Sequence, residues 1–303
     1  MSPADDHPIS TAALRGTPKQ DRIEATLRGE IRDGTLAPGS RLATRKELQL
    51  RFAVASLTMQ AAIDRLTADG FLVARGQHGT FVVDHPPSAS NYGLVFPFPE
   101  TRQGVQLWRA LISEAAAIGA GGRRHLTLYH GIDGHADNPD HQRLVRDLHH
   151  ERLAGLVFAV NPFAVVGTPV LDEGPAPRIA IMDQPLIRPN GRVGCVVLDE
   201  PSFVAKALDQ FVEHGRRRVA VISVPGMEGH CRRLVLDGMA ARGLATRPYW
   251  WHVVEQTTAS SARAIAHLLF HRGQPERPDA LLITDDNLVE HAVAGLLLSL
   301  IHI

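Results

Sequence analysis

The chain has 303 residues, 44% of them hydrophobic, with 32 basic and 32 acidic side chains. This composition is typical of a soluble globular protein that is long enough for two domains. The longest apolar runs, such as LAGLVFAV, are too short to span a membrane, and no signal peptide opens the sequence. Cys195 and Cys231 lie far apart without metal-ligand spacing, which predicts reduced thiols. We therefore expect a cytoplasmic protein.

Charge is distributed unevenly along the chain. Residues 15–83 contain 11 Lys and Arg against 7 Asp and Glu, a net charge of +4, and the remainder carries −4. A basic segment joined to an acidic one suits a polyanion-binding domain attached to a domain that does not bind DNA. Residues 1–17 are polar and lack hydrophobic periodicity, and we expect a disordered tail there.

Residues 18–84 predict three helices followed by a hairpin. Pro18 suits the start of a helix whose apolar face repeats at Ile23, Leu27 and Ile31. Two more helical patterns follow, and then two β-rich runs, FLVAR and TFVV, flank the turn GQHG. Elements in this order describe a winged helix-turn-helix, in which the recognition helix enters the major groove of DNA.

The boundaries of the second and third helices have their own signals. Thr44 and Glu47 have the spacing of a capping box, which predicts a helix over 44–51. We expect Ser56 to cap the next helix, in which apolar residues recur at helical spacing. Gly70 ends that helix, because glycine readily takes the positive φ that a helix C-terminus often needs.

Several spaced motifs in this segment match a known family. The chain reads LAPGSRLATRKEL, then F-x-V-x-S-x-T-x-Q-x-A-x-D-x-L-x-x-D-G-F, then RGQHGTFV. These motifs resemble the DNA-binding domain of GntR-type bacterial regulators, which implies that residues 18–84 bind double-stranded operator DNA. Family members commonly carry arginines early in the recognition helix, where this chain has Ser56 and Gln60. The operator sequence of a family member therefore cannot be assumed for this protein.

Three groups of polar residues are the candidates for DNA contact. Gln60 in the recognition helix can pair bidentately with adenine. The start of the preceding helix suits phosphate, because backbone N–H groups and cationic side chains meet there. The glycines of the hairpin let the backbone approach DNA closely. The alternative is that these residues only cap and solvate their helices. The predicted DNA-binding residues are Thr44, Arg45, Lys46, Ser56, Thr58, Gln60, Arg75, Gln77, His78 and Gly79.

The pattern changes after a short, polar linker at residues 85–90. From residue 91 onward, apolar β-rich runs such as LAGLVFAV, RRVAVIS and ALLIT alternate with helical stretches. Strand–helix alternation with near-continuous apolar strands predicts an α/β fold with parallel sheets that are covered on both faces. The number of units predicts two doubly wound subdomains within residues 91–303.

This second part resembles the LacI-type effector domain, which is similar in fold to periplasmic sugar-binding proteins. The likeness covers about 91–298 and rests on VVLDEPSFVAKALDQFVEHGRRRVAVIS, LVLDGMAARGL and ALLITDDNLVEHAVAGL. It implies a small polar effector, a sugar, bound between the subdomains at the carboxyl ends of strands. The residues it implies for effector binding are Phe96, Asp199, Arg232, Asp285 and Asp286.

These effector residues have alternatives. Asp285 replaces Asp286 if the alignment slips by one residue, and Asp199 could instead cap the next helix. Cys231 lies near the place of the family's arginine, with Arg232 beside it. Phe96, like Phe98, could cover the ligand or belong to the core.

The end of the sequence differs from the LacI-type pattern. That family continues past its late aspartate-bearing helix with further strands, whereas this sequence ends in LLLSLIHI. We expect a C-terminally truncated effector domain with an exposed apolar sheet edge. The alternative is a compact variant that buries its last residues.

Together these patterns predict a ligand-responsive transcription repressor that acts as a homodimer. Effector binding would close the cleft and change the spacing of the DNA-binding domains. One alternative is an enzyme with an α/β catalytic body and an accessory DNA-binding head; the other is a DNA-binding dimer without an effector. A single lysine in the body, Lys206, disfavours a pyridoxal enzyme. His141, His149 and His150 lack metal-ligand spacing, so we expect no metal or cofactor.

Overall fold

The winged helix predicted near the N-terminus is present in the structure, a computed structural model that describes residues 19–100, 105–182, 193–226 and 229–301. The predicted disordered tail and Pro18 lie outside the described residues. The chain divides into two units. Unit 1 comprises Met1–Glu100 and Ile112–Val196, and unit 2 comprises Thr101–Leu111 and Val197–Ile303.

Unit 1 begins with three helices and an antiparallel hairpin. Leu27, Met59 and Leu66 are among the fully buried side chains of the core that these elements share. The hairpin pairs Leu72 with Val82, and Gly76 and its neighbours make the turn. The elements are α1 (Lys19–Arg32), α2 (Arg45–Phe52), α3 (Ser56–Ala68), β1 (Leu72–Ala74) and β2 (Thr80–Val82).

The helix boundaries confirm two of the three expected signals. Thr44 caps α2 in a complete capping box. Helix α3 ends at Ala68 with Asp69 as its C-cap residue, and Gly70 follows at φ +80°. The expected cap of α3 by Ser56 is wrong. Ala55 is the N-cap residue, with extended backbone angles and no side-chain hydrogen bond, and Ser56 is the first helical residue.

A five-stranded sheet completes unit 1, in the order β4-β3-β5-β6-β7. Strand β3 pairs in parallel with β4 and β5, and β5 pairs in parallel with β6. Apolar side chains such as Leu144, Leu156 and Ala180 form its core. The elements are α4 (Pro87–Ser90), β3 (Asn91–Val95), α5 (Gln106–Ala120), β4 (His125–Tyr129), α6 (Pro139–His149), β5 (Gly155–Phe158), α7 (Pro169–Asp172), β6 (Arg178–Met182) and β7 (Val193–Val197). The first residues of α5, up to Leu111, and the last residue of β7, Val197, belong to unit 2.

Unit 2 contains a three-stranded parallel sheet in the order β10-β8-β9. All residues of its central strand are buried, as expected for a parallel strand between two layers of helices. The prediction of two parallel sheets with alternating helices is confirmed. The elements are α8 (Glu200–Glu213), β8 (Val219–Ser223), α9 (His230–Ala241), β9 (Trp251–Val253), α10 (Ser261–Phe270), β10 (Ala280–Ile283) and α11 (Val289–Ile301).

Three expectations from the sequence concern membrane spans, metal sites and thiols. Within the described ranges, no helix is both long and apolar enough to cross a bilayer, and no group of His, Cys, Asp or Glu is arranged to hold a metal. Two of the histidines have carboxylate partners instead: His149 contacts Glu173, and His150 contacts Asp69. Cys195 is exposed and Cys231 is buried, and both are free thiols.

Close packing of two helices in unit 2 yields a stability prediction. A Cβ atom at Gly295 of α11 would lie 2.1 Å from the carbonyl oxygen of Arg263 in α10. We expect Gly295→Ala to destabilise the protein by about 1–3 kcal/mol through overpacking. Gly119→Ala in α5 is the control, because its Cβ would meet nothing within 4 Å. Thermal unfolding should show a lowered Tm for the first variant alone; equal Tm values would contradict the prediction.

Candidate functional site

The first turn of α3 presents both the predicted base-reading residues and one that sequence reasoning missed. Ser56 is exposed, and Thr58 and Gln60 are half-buried. Leu57 is 85% exposed, although it is large and apolar. The sequence places this apolar residue outside the buried face of the helix, and that position was the signal that sequence reasoning missed. An exposed leucine on a recognition helix can contact a thymine methyl group.

Gln60 is not ready to read a base in this conformation. Its amide Nε2 donates a hydrogen bond to Asp64 Oδ1 at 2.6 Å, one helical turn away. Its amide oxygen is buried without a hydrogen-bond partner. Bidentate pairing with adenine needs both amide atoms, so Gln60 must leave Asp64 before it can make that contact.

The start of α2 combines a complete capping box with exposed cations. The backbone N–H and the hydroxyl of Thr44 each donate to Glu47 Oε2 at 2.7 Å, and the Glu47 N–H donates to Thr44 Oγ1 at 3.4 Å. These bonds from Thr44 lower the pKa of the Glu47 carboxyl group. Arg45 and Lys46 follow in the first turn, and both are exposed. Exposed cations at a helix N-terminus suit a phosphate group.

The wing has a narrow, basic tip. The guanidinium of Arg75 lies 4.8 Å from the ring centroid of Phe81, which holds it on the hairpin, and Gln77 and His78 are exposed. Gly79 has φ +102°, and a Cβ there would lie 3.1 Å from Nε of Arg41. Arg41 was not among the predicted residues. Its isolated antiparallel bridge to Phe81 places this cation beside the wing.

In unit 2, two of the three predicted aspartates, Asp285 and Asp286, lie together after the carboxyl end of β10. Asp285 Oδ1 accepts the backbone N–H of Asn287 at 2.9 Å and its side-chain amide at 2.8 Å. Asp285 Oδ2 accepts from Gln256, in the loop after β9, at 3.0 Å. Asp286 is exposed and accepts from the Asn287 amide at 3.2 Å. Asp285 therefore orders the loop, and Asp286 has more acceptor capacity for a ligand.

The other three predicted effector residues already have structural roles. Asp199 accepts the backbone N–H of Ser202 at 3.0 Å and is the N-cap of α8, as its alternative anticipated. Arg232 lies over the ring of Trp251, with 4.9 Å from its Cζ atom to the ring centroid. Phe96 is 3% exposed, and its ring stacks on that of His130 at 5.1 Å. None of these three contacts belongs to the aspartate loop.

Among the described residues, each sheet also has a buried polar atom without a partner close after the carboxyl end of a strand. In unit 1 it is the amide oxygen of Asn161, beyond β5, and in unit 2 it is the hydroxyl of Thr284, beyond β10. Buried polar groups are nearly always hydrogen-bonded, so such atoms indicate a bound water or a ligand. Sequence reasoning missed both, because neither residue type is distinctive in a loop.

One cavity lies away from the aspartate loop. It has a volume of about 180 Å³ in unit 2, on the side of β9, with an aromatic and aliphatic lining. Typical ligand pockets have about 300–1,000 Å³, so this cavity is small for a sugar. Its lining includes Tyr249, Trp250, His252, Leu268 and Glu276.

Comparison with protein families identifies the class of the N-terminal segment. Residues 19–82 match the family described as bacterial regulatory proteins, gntR family. This range covers the three helices and the hairpin, whose residues carried the resemblance. The segment is therefore a GntR-type winged helix that binds DNA, and the protein is a transcription regulator and not an enzyme.

Comparison with solved structures identifies the fold of the α/β part. A LacI family transcriptional regulator from Lactobacillus casei with bound sucrose is 20% identical, with a TM-score of 0.50, over 69% of this chain and 74% of that chain. A LacI family regulator from Arthrobacter sp. FB24, in complex with lactose, is 18% identical with a TM-score of 0.49, over 69% and 72% of the two chains. The first of these likenesses shows that the α/β part has the LacI-type fold.

The capping box of α2 yields a prediction for the winged helix. Thr44→Ala removes the hydroxyl that accepts the N–H of Glu47, and loss of an N-cap typically costs about 1 kcal/mol. Glu47→Gln is the control, because glutamine also completes a capping box. Unfolding of the winged helix in urea should have its midpoint at a lower urea concentration for Thr44→Ala, with little change for Glu47→Gln. Equal midpoints for the wild type and Thr44→Ala would contradict it.

Proposed function

We propose that the protein is a cytoplasmic repressor that binds operator DNA as a homodimer and releases it when a small carbohydrate binds the LacI-type domain. The match of residues 19–82 to GntR-type regulators supports this proposal most directly. The exposed first turns of α2 and α3 supply the surface that such a domain uses. The repressor role and the dimer are inferred from the architecture, in which a DNA-binding domain is joined to an effector domain.

We assign different tasks to the two groups of DNA-binding residues. Arg45, Lys46 and Arg75, with Arg41 added, are exposed cations that would bind phosphates and release counterions. Ser56, Thr58 and Gln60 lie in the first turns of α3, where a recognition helix contacts base edges. Gln77, His78 and Gly79 would bring the wing against the DNA backbone. Thr44 would act indirectly, because its own N–H and hydroxyl both donate to Glu47 and it would hold the first turn of α2 in place for phosphate.

This division is tested by two substitutions that act differently. Arg45→Ala should weaken binding to all duplexes and reduce the slope of log K against log salt by about 1. Gln60→Ala should relax preference at one base position with little change in that slope. Binding would be measured by fluorescence anisotropy, on duplexes selected in vitro with the wild-type protein.

Arg146→Ala is the matched control for the lost charge, because Arg146 is an exposed arginine on α6. It should leave both the affinity and the salt slope unchanged. If wild-type protein shows no salt-dependent binding to any duplex, the assignment of the winged helix to operator binding fails.

For the effector we infer a hydroxyl-rich molecule that is bound by Asp286 and assisted by the loop that Asp285 orders. The carboxylate of Asp286 can accept hydrogen bonds from hydroxyl groups, and the partnerless hydroxyl of Thr284 lies two residues before it in the same loop. The Lactobacillus casei regulator of the same fold holds sucrose. Asp199, Arg232 and Phe96 remain candidates for further contacts, although each already has a structural partner.

A thermal-shift screen with pentoses, hexoses, disaccharides and sugar phosphates would identify the effector, because a ligand of the native state raises Tm. For a sugar that binds, Asp286→Ala should cost about 1–3 kcal/mol, or about 5- to 150-fold in Kd, by calorimetry. Asp237→Ala, at an exposed aspartate on α9, should leave Kd unchanged. Full-strength binding by Asp286→Ala would remove that residue from the site. A screen without a single shift would favour a DNA-binding protein that has no carbohydrate effector.

A further inference from the structure

The C-terminal end of the recognition helix carries a buried carboxylate. Asp69 is the C-cap residue of α3, and its side chain is only 3% exposed. Arg28 of α1 donates to Asp69 Oδ2 at 2.5 Å and to Glu24 at 3.3 Å. This part of the arrangement lies within the winged helix.

Two further partners of Asp69 come from the other side, from the segment between α6 and β5. Arg152 makes a hydrogen-bonded ion pair with Asp69 Oδ1, and His150 contacts Asp69 Oδ2 through Nδ1 at 3.1 Å. Burial, followed by the charge of Arg28, lowers the pKa of His150. Because a carboxylate can only accept, Nδ1 carries the proton and donates it to the bond.

The backbone of this segment ends α6. Glu151, between the two donors, has φ +51°, the left-handed conformation that often follows a helix, and its N–H donates to the carbonyl oxygen of Leu148 at 3.0 Å. The N–H of Arg152 donates to the carbonyl oxygen of Asp147 at 2.9 Å. The side chain of Glu151 forms an ion pair with Arg32 at the end of α1, so this helix end brings three side chains to the winged helix.

The contact continues into the sheet of unit 1. Arg152 Nη1 donates to Asp147 Oδ1 at 3.2 Å, and the hydroxyl of Tyr129 donates to Asp147 Oδ2 at 2.7 Å. Tyr129 is fully buried at the end of β4, and its carbonyl oxygen accepts the N–H of Phe96 at 2.9 Å. A connected chain of hydrogen bonds therefore runs from the recognition helix to the carboxyl end of the first sheet.

The apolar cores do not make this connection. The buried cluster of the winged helix and the buried cluster of the first sheet have no residue in common among the residues described. Polar interfaces between domains usually permit relative motion, whereas large apolar ones do not. An ionic contact without a shared apolar core can therefore hold the two parts together and can also be released.

We propose that Asp69, Arg152 and His150 form a latch that holds the recognition helix in one orientation against the first sheet, so that changes in the sheet reach the DNA-binding surface. In this scheme Arg152 and His150 are positioning residues that act on DNA binding through Asp69 of α3. The proposal rests on the proposed function for its biological meaning, because an oriented recognition helix matters only to a DNA-binding protein. The latch itself is a property of the chain that can be measured without DNA.

Double electron–electron resonance on the full chain tests the latch. Spin labels are placed by Ala25→Cys on α1 and Ala116→Cys on α5, both exposed, after Cys195→Ser and Cys231→Ala remove the native thiols. The parent should show a single narrow distance. The double variant Arg152→Met and His150→Ala should lose it and show a broad distribution, whereas Arg146→Met on the same side of the sheet should not.

His150→Ala alone keeps the ion pair of Arg152 with Asp147. It should broaden the distance distribution partially, so this variant tests the latch even if the double variant does not fold. The latch proposal would be wrong if the double variant and His150→Ala both show a narrow distance distribution, or if the parent shows a broad one. Salt-dependent binding to a duplex with one binding site is measured in parallel and should be retained. Its absence in the parent protein would count against the proposed function, while the distances would still decide the latch.

Discussion

A carboxylate that is buried away from water needs positive charges or hydrogen-bond donors as partners. Asp69 is such a carboxylate, and it lies at the junction of the two parts of unit 1. Removing one partner of a buried ion pair typically costs about 3–5 kcal/mol, because the remaining charge is left without compensation. Its donors lie 41, 81 and 83 residues away in sequence, on α1 and in the segment between α6 and β5. A single element cannot supply them, so the winged helix and the first sheet must meet where Asp69 is buried.

The elements of the fold were predictable because their signals are local. Near-continuous apolar runs predicted the strands of both sheets, and Val219–Ser223 shows the reason, since every residue of that central strand is buried. Helix ends were predicted where a side chain caps the backbone, as Thr44 does. The error at Ser56 has the same cause. Sequence reasoning assumed that a polar residue caps α3, whereas the backbone enters the helix at Ala55 without any side-chain bond.

The functional residues were less predictable, because most depend on contacts between distant segments. In the sequence, Asp69 belongs to the Asp-Gly pair that ends a helix, and Arg152 is one of several cations in a polar stretch. Asn161 and Thr284 acquire meaning only when the folded chain buries them without a partner. Asp285 and Asp286 could be placed in one loop from the sequence, but their different hydrogen bonds could not be read from it. Arg41 gained its place beside the wing only through its bridge to Phe81.

The recognition helix indicates how affinity and specificity are divided in this protein. Where related regulators commonly carry arginines, α3 has Ser56 and Gln60, and Leu57 between them is largely exposed. Releasing Gln60 from Asp64 gives up a bond that contributes about 0.5–1.5 kcal/mol, and pairing with adenine must more than replace it. In the DNA-binding mode proposed above, this exchange reduces the net affinity that Gln60 can add. Phosphate contacts outside α3, which depend strongly on salt, would then supply most of the attraction for DNA. The exposed Leu57 would add preference by packing against thymine methyl groups, provided that the helix is held at the right angle in the groove.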